Sequence, residues 1–263
     1  MIDSIRERVE AGERLTAEEC LFLYRHGDIL ELGELANLVR ERKSADTTYF
    51  IVNRHINYTN ICVNQCRFCA FSRKAEAEGA YAMTVAQIVE AATAVPGHFT
   101  ELHIVGGLHP ELPLSYYVGM LSALQAALPQ VHLQAFTAVE VAHIAQVAGL
   151  SVRETLGRLI DAGLGSLPGG GAEVFATRVR EAVCPVKLSG DDWLGVMRTA
   201  HELGLRSNAT MLYGHVETPE EKVDHLVRLR ALQDETGGFM AYIPLAYHSA
   251  NTDLGGRASQ RPD

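Results

Sequence analysis

The sequence predicts an α/β protein: a partial TIM-like (β/α) barrel of about six βα units behind an N-terminal helical extension. Two observations predict it. After Thr47 six apolar runs of strand length alternate with amphipathic segments of helical period, as in a parallel sheet covered by helices. The residues suited to chemistry also gather in the loops that follow strands, which form the functional mouth of a barrel.

Taken in order, the stretch from Ile2 to Lys43 is rich in Leu, Glu and Arg and reads as three short helices. Thr16 and Glu19 form a capping box there, and Gly27 is a stop. From Thr47 the composition turns β-branched and aromatic, and Ile56 to Ile61 reads as a buried strand ending at Cys62. Further strands are expected at Leu102 to Val105, Val131 to Phe136, Gly165 to Leu167, Asn208 to Tyr213 and Met240 to Leu245. Among the helices, one opens at Ser189 and closes at Gly204. Another begins at Thr218-Pro219-Glu220-Glu221, which supplies an N-cap, a proline at the first helical position and the capping-box glutamate. Tyr116, Tyr117, Leu121, Leu124 and Leu128 form a stripe that fits packing against the sheet.

The expected division is a helical segment, 1–46, and a barrel core, 47–263. That core falls short of the roughly 250 residues of an eight-strand barrel, so a C-terminal truncation is expected. After Leu245 a short run leads to Gly256 and the polar tail Arg257 to Asp263, with no helix to follow. An open sixth strand would expose edge groups and favour instability, self-association as a homo-oligomer or a missing partner segment.

Of 263 residues, 47% are hydrophobic and 21% charged, which excludes disordered, collagenous and disulfide-knot classes. With 23 Lys and Arg against 32 Asp and Glu the net charge is -9, which argues against binding a nucleic-acid backbone. No apolar stretch approaches the roughly 20 residues that span a bilayer, so no membrane partner is expected. Five cysteines, an odd number, and the lack of an export signal make a reducing cytoplasm the default.

Three of those cysteines, Cys62, Cys66 and Cys69, fall in the spacing C-x3-C-x2-C. Thiolates are soft ligands suited to iron–sulfur clusters or zinc, and a compact loop can wrap one cubane by presenting three sulfurs to three irons. The fourth iron of a [4Fe-4S] cluster would then be open to an outside ligand. A zinc site and a trio of buried thiols are the alternatives. Cys20 and Cys184 lie far away in sequence and read as small core hydrophobes.

The cysteine loop, with the aromatic Phe68 before its last cysteine and the pair Gly106-Gly107 after the second strand, resembles the signature of the radical S-adenosylmethionine (SAM) superfamily. The resemblance implies that Cys62, Cys66 and Cys69 ligate a [4Fe-4S] cluster whose open iron binds SAM. It also implies that Phe68 lies against the adenine and that Gly106 and Gly107 receive the SAM amino group. One electron, delivered by a donor such as flavodoxin or ferredoxin, would then release a 5′-deoxyadenosyl radical. The runs Asn53 to Asn60, Pro168 to Glu173 and Met211 to Thr218 narrow the resemblance to the futalosine branch of menaquinone biosynthesis, over nearly the whole chain from Thr47 to Gly256.

Within that branch Arg54-His55, His103 to Pro110 and Ala135 to Glu140 look like the aminodeoxyfutalosine synthase family. The substrate implied is a small aromatic enol ether, 3-[(1-carboxyvinyl)oxy]benzoate. The cyclic dehypoxanthinyl futalosine cyclase and an inactive cluster-binding fragment are the alternatives. His55, His109 and His215 are candidates for substrate contact. Gly169 to Gly171 are candidates to cradle SAM, with Glu173 taking one of its hydroxyls. No acid or base is assigned, because the cofactor supplies the reactivity while the protein orients it and excludes quenching hydrogen donors.

Overall fold

The computed structural model describes residues 1–94 and 97–255. Three helices come first: α1 (Ile2–Ala11), α2 (Ala17–His26) and α3 (Ile29–Ser44). The expected capping box forms, the Glu19 amide donating to Thr16 Oγ1 at 3.2 Å and the Thr16 amide donating to Glu19 Oε2 at 2.7 Å. Ile5, Val9 and Leu35 give these helices a small core of their own.

The sheet has six strands, β1 (Asn53–Ile56), β2 (Glu101–Ile104), β3 (His132–Ala135), β4 (Ser166–Leu167), β5 (Arg206–Tyr213) and β6 (Phe239–Ala246). Each pairs in parallel with its neighbour in chain order, which makes the half-barrel that the alternating pattern predicts. Between the strands run α4 (Val85–Thr93), α5 (Leu114–Ala127), α6 (Ala138–Ala148), α7 (Val152–Asp161), α8 (Thr177–Val183), α9 (Gly190–Glu202) and α10 (Pro219–Thr236). Thr84, Thr137, Ser151 and Thr218 each open a helix with a complete capping box, satisfying amides that the first turn leaves without partners. Arg230 on α10 donates to the Leu15 carbonyl at 2.8 Å, and Arg14 and Arg25 pair with Asp234 and Glu220 of the same helix. These contacts fasten the leading helices to the barrel.

The main core lies between sheet and helices. Leu102, Ile104 and Leu133 of the strands meet Met120, Leu121, Leu124 and Trp193 of the helices, all fully or nearly fully buried. Burial of such a side chain contributes roughly 1.5–3 kcal/mol. Tyr117 is buried with them as its stripe predicts, while Tyr116 and Leu128 are only partly covered.

The first strand departs from expectation: it spans Asn53–Ile56, not Ile56 to Ile61. Polar side chains take the chain out of the ladder after Ile56. Asn57 donates to the Val105 carbonyl, Thr59 Oγ1 to the Tyr81 carbonyl, and Asn60 exchanges bonds with Tyr81 and Gly79. The segment instead meets the returning loop through isolated bridges, Thr59 with Ala82 and Ile61 with Arg73.

At the far edge β6 pairs only with β5 among the described residues, and Met240, Tyr242, Ile243 and Leu245 are exposed. Gly256 and the polar tail Arg257 to Asp263 lie outside the described residues. No described helix is long and apolar enough to cross a membrane.

Candidate active site

A cavity of about 560 Å³ runs from the loops at the C-terminal ends of the strands down into the half-barrel. Cys62, Cys66, Cys69 and Phe68 line its mouth, so the loop after β1 brings the three cysteines to one wall. Several elements hold that loop. The Cys62 amide donates to the Arg73 carbonyl at 3.0 Å, Val63 to Leu108 at 3.1 Å and Arg67 to Val183 at 2.9 Å, while the Arg67 carbonyl accepts the Asp253 and Leu254 amides. Cys69 closes a tight turn onto the Cys66 carbonyl, and Gln65 adopts φ +41° to make it.

No three His, Cys, Asp or Glu side chains among the described residues meet at a point that could hold one metal ion. Cys62, Cys66 and Cys69 are soft sulfur donors of the kind that iron–sulfur clusters and zinc both take.

Cys20 is half-buried on α2, away from the cavity. Cys184, read as a core thiol, is buried at the C-terminus of α8, where it belongs to the same small apolar cluster as Cys66. The neighbouring Cys184 thiol, together with burial, pushes the Cys66 thiol up from its ordinary range. A contact between the loop and α8 had no trace in the spacing of the cysteines.

Gly106 and Gly107 also line the cavity, and the protein itself explains both. A Cβ on Gly106 would lie 2.7 Å from the Tyr58 ring, and one on Gly107 would run into the Ile61 carbonyl. The Gly106 amide donates to Glu140 Oε1 at 2.9 Å, and the Gly107 amide to the Thr59 carbonyl at 2.8 Å. Glu140 is buried at the start of α6 and also accepts from the Tyr58 hydroxyl at 2.8 Å and from Thr137. Burial raises its carboxyl against the pull of these donors.

On the opposite wall lie Pro168 and Gly169 to Gly171. Thr210 Oγ1 donates to the Gly169 carbonyl at 2.6 Å, and a Cβ on Gly169 would meet the Ala209 backbone at 2.7 Å. Glu173, at φ +49°, holds Lys187 Nζ at 2.6 Å, and that ammonium stands 5.4 Å from the Phe68 ring centroid. Burial works against the Lys187 charge, but Glu173 and the neighbouring thiols outweigh it and raise the lysine.

Of the three candidate histidines, only His55 lines the cavity. The His109 imidazole accepts from the Glu111 amide at 3.1 Å within its own loop. His215 is committed at both nitrogens, to the Leu212 carbonyl at 2.9 Å and the Val216 amide at 2.8 Å, with Glu217 3.3 Å away. His109 and His215 do not line the cavity, and their imidazoles bond within their own loops. His103, which opens the His103 to Pro110 motif but is given no role there, and Gln134, which lies outside the motifs, stand inside the cavity beside His55. The signal for them was the polar–apolar alternation of β2 (Glu-Leu-His-Ile) and β3 (His-Leu-Gln-Ala), too short by itself to tell which face looks inward.

The model of the radical SAM superfamily matches residues 56–229. Over 251 residues the chain is 49% identical to aminodeoxyfutalosine synthase of Streptomyces coelicolor, covering 95% of this chain and 65% of that protein. It is 48% identical over 252 residues to the Thermus thermophilus synthase, covering 95% of this chain and 68% of the relative. Against the cyclic dehypoxanthine futalosine synthase of S. coelicolor it is 40% identical over 261 residues, 97% of this chain and 65% of that one. The chain thus spans about two thirds of the length of these relatives. A solved structure of methylornithine synthase superposes with a TM-score of 0.72 at 17% identity, over 97% of this chain and 71% of the other, a likeness of fold.

Proposed function

Because the chain belongs to the radical SAM superfamily, a family of enzymes, we propose that it works as an aminodeoxyfutalosine synthase. The reaction joins the adenosyl group of SAM to the enol ether 3-[(1-carboxyvinyl)oxy]benzoate, with rearrangement and loss of a carboxylate, to give 6-amino-6-deoxyfutalosine. The observation that supports this reading above the alternatives is the identity of 49% and 48% with two synthases, against 40% with the cyclic dehypoxanthine futalosine synthase.

In this reading Cys62, Cys66 and Cys69 hold a [4Fe-4S] cluster as thiolates at the cavity mouth. Such a cluster, with SAM bound, would supply carbon-radical chemistry on receipt of an electron from a reduced carrier such as flavodoxin or ferredoxin. Phe68 packs against the adenine. Gly106 and Gly107 offer the amino group a backbone edge free of side chains, in a position that Glu140 and Tyr58 fix. Glu173 lies behind the opposite wall, where it fixes Lys187 beside the adenosyl group. His55 contacts the aromatic substrate. Such a site works by positioning: it keeps the alkene within reach of the 5′ carbon and keeps hydrogen donors away from it.

The test is anaerobic reconstitution of this chain with iron and sulfide, followed by reduction in the presence of SAM and the enol ether. Mass spectrometry should detect 6-amino-6-deoxyfutalosine. Turnover of dehypoxanthine futalosine alone would overturn the proposal in favour of the cyclising enzyme.

A further inference from the structure

We propose that His55 and His103 form a carboxylate clamp at the inner end of the cavity, which takes the ring carboxylate of an aromatic acid; the identity of that acid rests on the function proposed above. The two residues are register partners on β1 and β2, and their rings lie 4.8 Å apart at 33°. The same layer continues through Gln134 on β3 to Ser166 on β4.

Hydrogen bonding along this layer sets the tautomer of His103. Gln134 Nε2 donates to Ser166 Oγ at 3.2 Å, and that hydroxyl is also bonded to His132 Nε2 at 2.7 Å. With its amide nitrogen so engaged, Gln134 presents Oε1 to His103 Nδ1 at 2.9 Å, so Nδ1 carries the proton and donates. Nε2 is left for a ligand. A purely packing role would be met by Leu or Val at lower desolvation cost, whereas two imidazoles stacked on a cavity wall invite an anion.

The charged groups of the cavity lie at its two ends, so the histidine pair itself must supply the attraction for an anion. Lys187, at the mouth, is paired with Glu173. At the inner end the titratable side chains are His55 from β1 and, from the same strand as His103, Glu101. The other strands present the neutral Gln134, Asn208, Thr210, Ile243 and Leu245. Burial and the neighbouring His55 lower His103, against the Gln134 bond, which favours the neutral ring; an anion docked at Nε2 would draw a proton to it. His103 and Gly106 are three residues apart, roughly 10 Å along the strand direction. That spacing suits an acid held by its ring carboxylate at the histidines with its meta substituent at the glycine pair.

Calorimetry on the reconstituted chain, with 3-methoxybenzoate and its neutral amide as probes, tests the clamp. The acid should bind at least tenfold more tightly than the amide, with proton uptake visible as a dependence on buffer ionisation enthalpy. His103→Phe and the milder His103→Gln should each weaken the acid tenfold or more, while the spectral change that SAM causes in the cluster persists. Equal affinity for acid and amide, or undiminished acid binding in both variants, overturns the clamp. A chain that binds the acid through His103 yet fails to turn over the enol ether would refute the proposed function and leave the clamp standing. Turnover with unchanged KM in His103→Gln would do the reverse.

Discussion

Tyr58 and Glu140, 82 residues apart, share a buried hydrogen bond of 2.8 Å from phenol to carboxylate, and the same oxygen accepts the Gly106 amide. One carboxylate thus joins the loop after β1, the glycine pair after β2 and the start of α6. Its removal leaves several buried donors without an acceptor at once. Glu140→Ala is expected to cost about 3 kcal/mol or more, since each orphaned buried polar group costs roughly 1–3 kcal/mol. Tyr58→Phe, which removes one donor of several, should cost about 1 kcal/mol. Urea unfolding of the two variants checks the order.

Cys62→Ser, Cys66→Ser and Cys69→Ser should each fail to retain a full complement of iron after anaerobic reconstitution. Cys184→Ala should retain it. Because Cys184 is buried in the same cluster as Cys66, its loss should change the surroundings of that sulfur and so shift the cluster potential. Cys20→Ala should leave iron content and potential alone. Iron and sulfide analysis with redox titration distinguishes the three classes.

Lys187 and Glu173 form an ion pair whose side chains are 12% and 9% exposed. Breaking such a pair from one side strands the other charge, at roughly 3–5 kcal/mol. Lys187→Met should therefore destabilise strongly, and the double variant Lys187→Met with Glu173→Leu should recover much of the loss. Equal stability of the single and double variants in a denaturant titration would count against the pair being the source of the cost.

His225 is buried on α10, where its Nε2 donates to the Thr210 carbonyl at 3.0 Å and its ring lies 4.0 Å from that of Phe175. Burial brings it down to about 4 from an ordinary value of 6.5. The unfolded chain thus takes up a proton between pH 6.5 and 4 that the native chain does not. The stability is present above pH 6.5 and is lost as pH falls towards 4, a total on the order of 3 kcal/mol. His225→Gln should flatten the fall in urea midpoint between pH 7.5 and 5 relative to the parent.

Gly107→Ala should displace the cysteine loop, since the added methyl would occupy the position of the Ile61 carbonyl just before Cys62. Lower thermal stability together with poorer cluster retention is the expected result, and loss of one without the other would contradict it.

The parallel order of six strands, the capping boxes at Thr16 and Thr218 and the gathering of cysteines and glycines at one mouth were legible because they rest on local patterns: periodicity, side-chain caps and spacing. The first strand differs from its expected place because Thr59 and Asn60 bond the backbone of a loop some 20 residues on and Asn57 bonds the Val105 carbonyl beyond β2, a competition that hydrophobic pattern does not record. His103 and Gln134 were overlooked because strands of four residues carry too few alternations to show which face looks inward. His109 and His215 sit in the right loops, but their imidazoles serve their own turns. Only the packed structure distinguishes a loop histidine that braces from one that binds.

The backbone bonds from Asp253 and Leu254 to the Arg67 carbonyl tie the cysteine loop to a segment made after every strand of the sheet. A nascent chain that has already exposed its three thiols still lacks this clamp, and closing so long a loop carries an entropic cost that only the finished sheet offsets. The rigid form of the thiol pocket thus waits on a segment that follows β6, and iron that arrives earlier meets a flexible peptide chelator in its place.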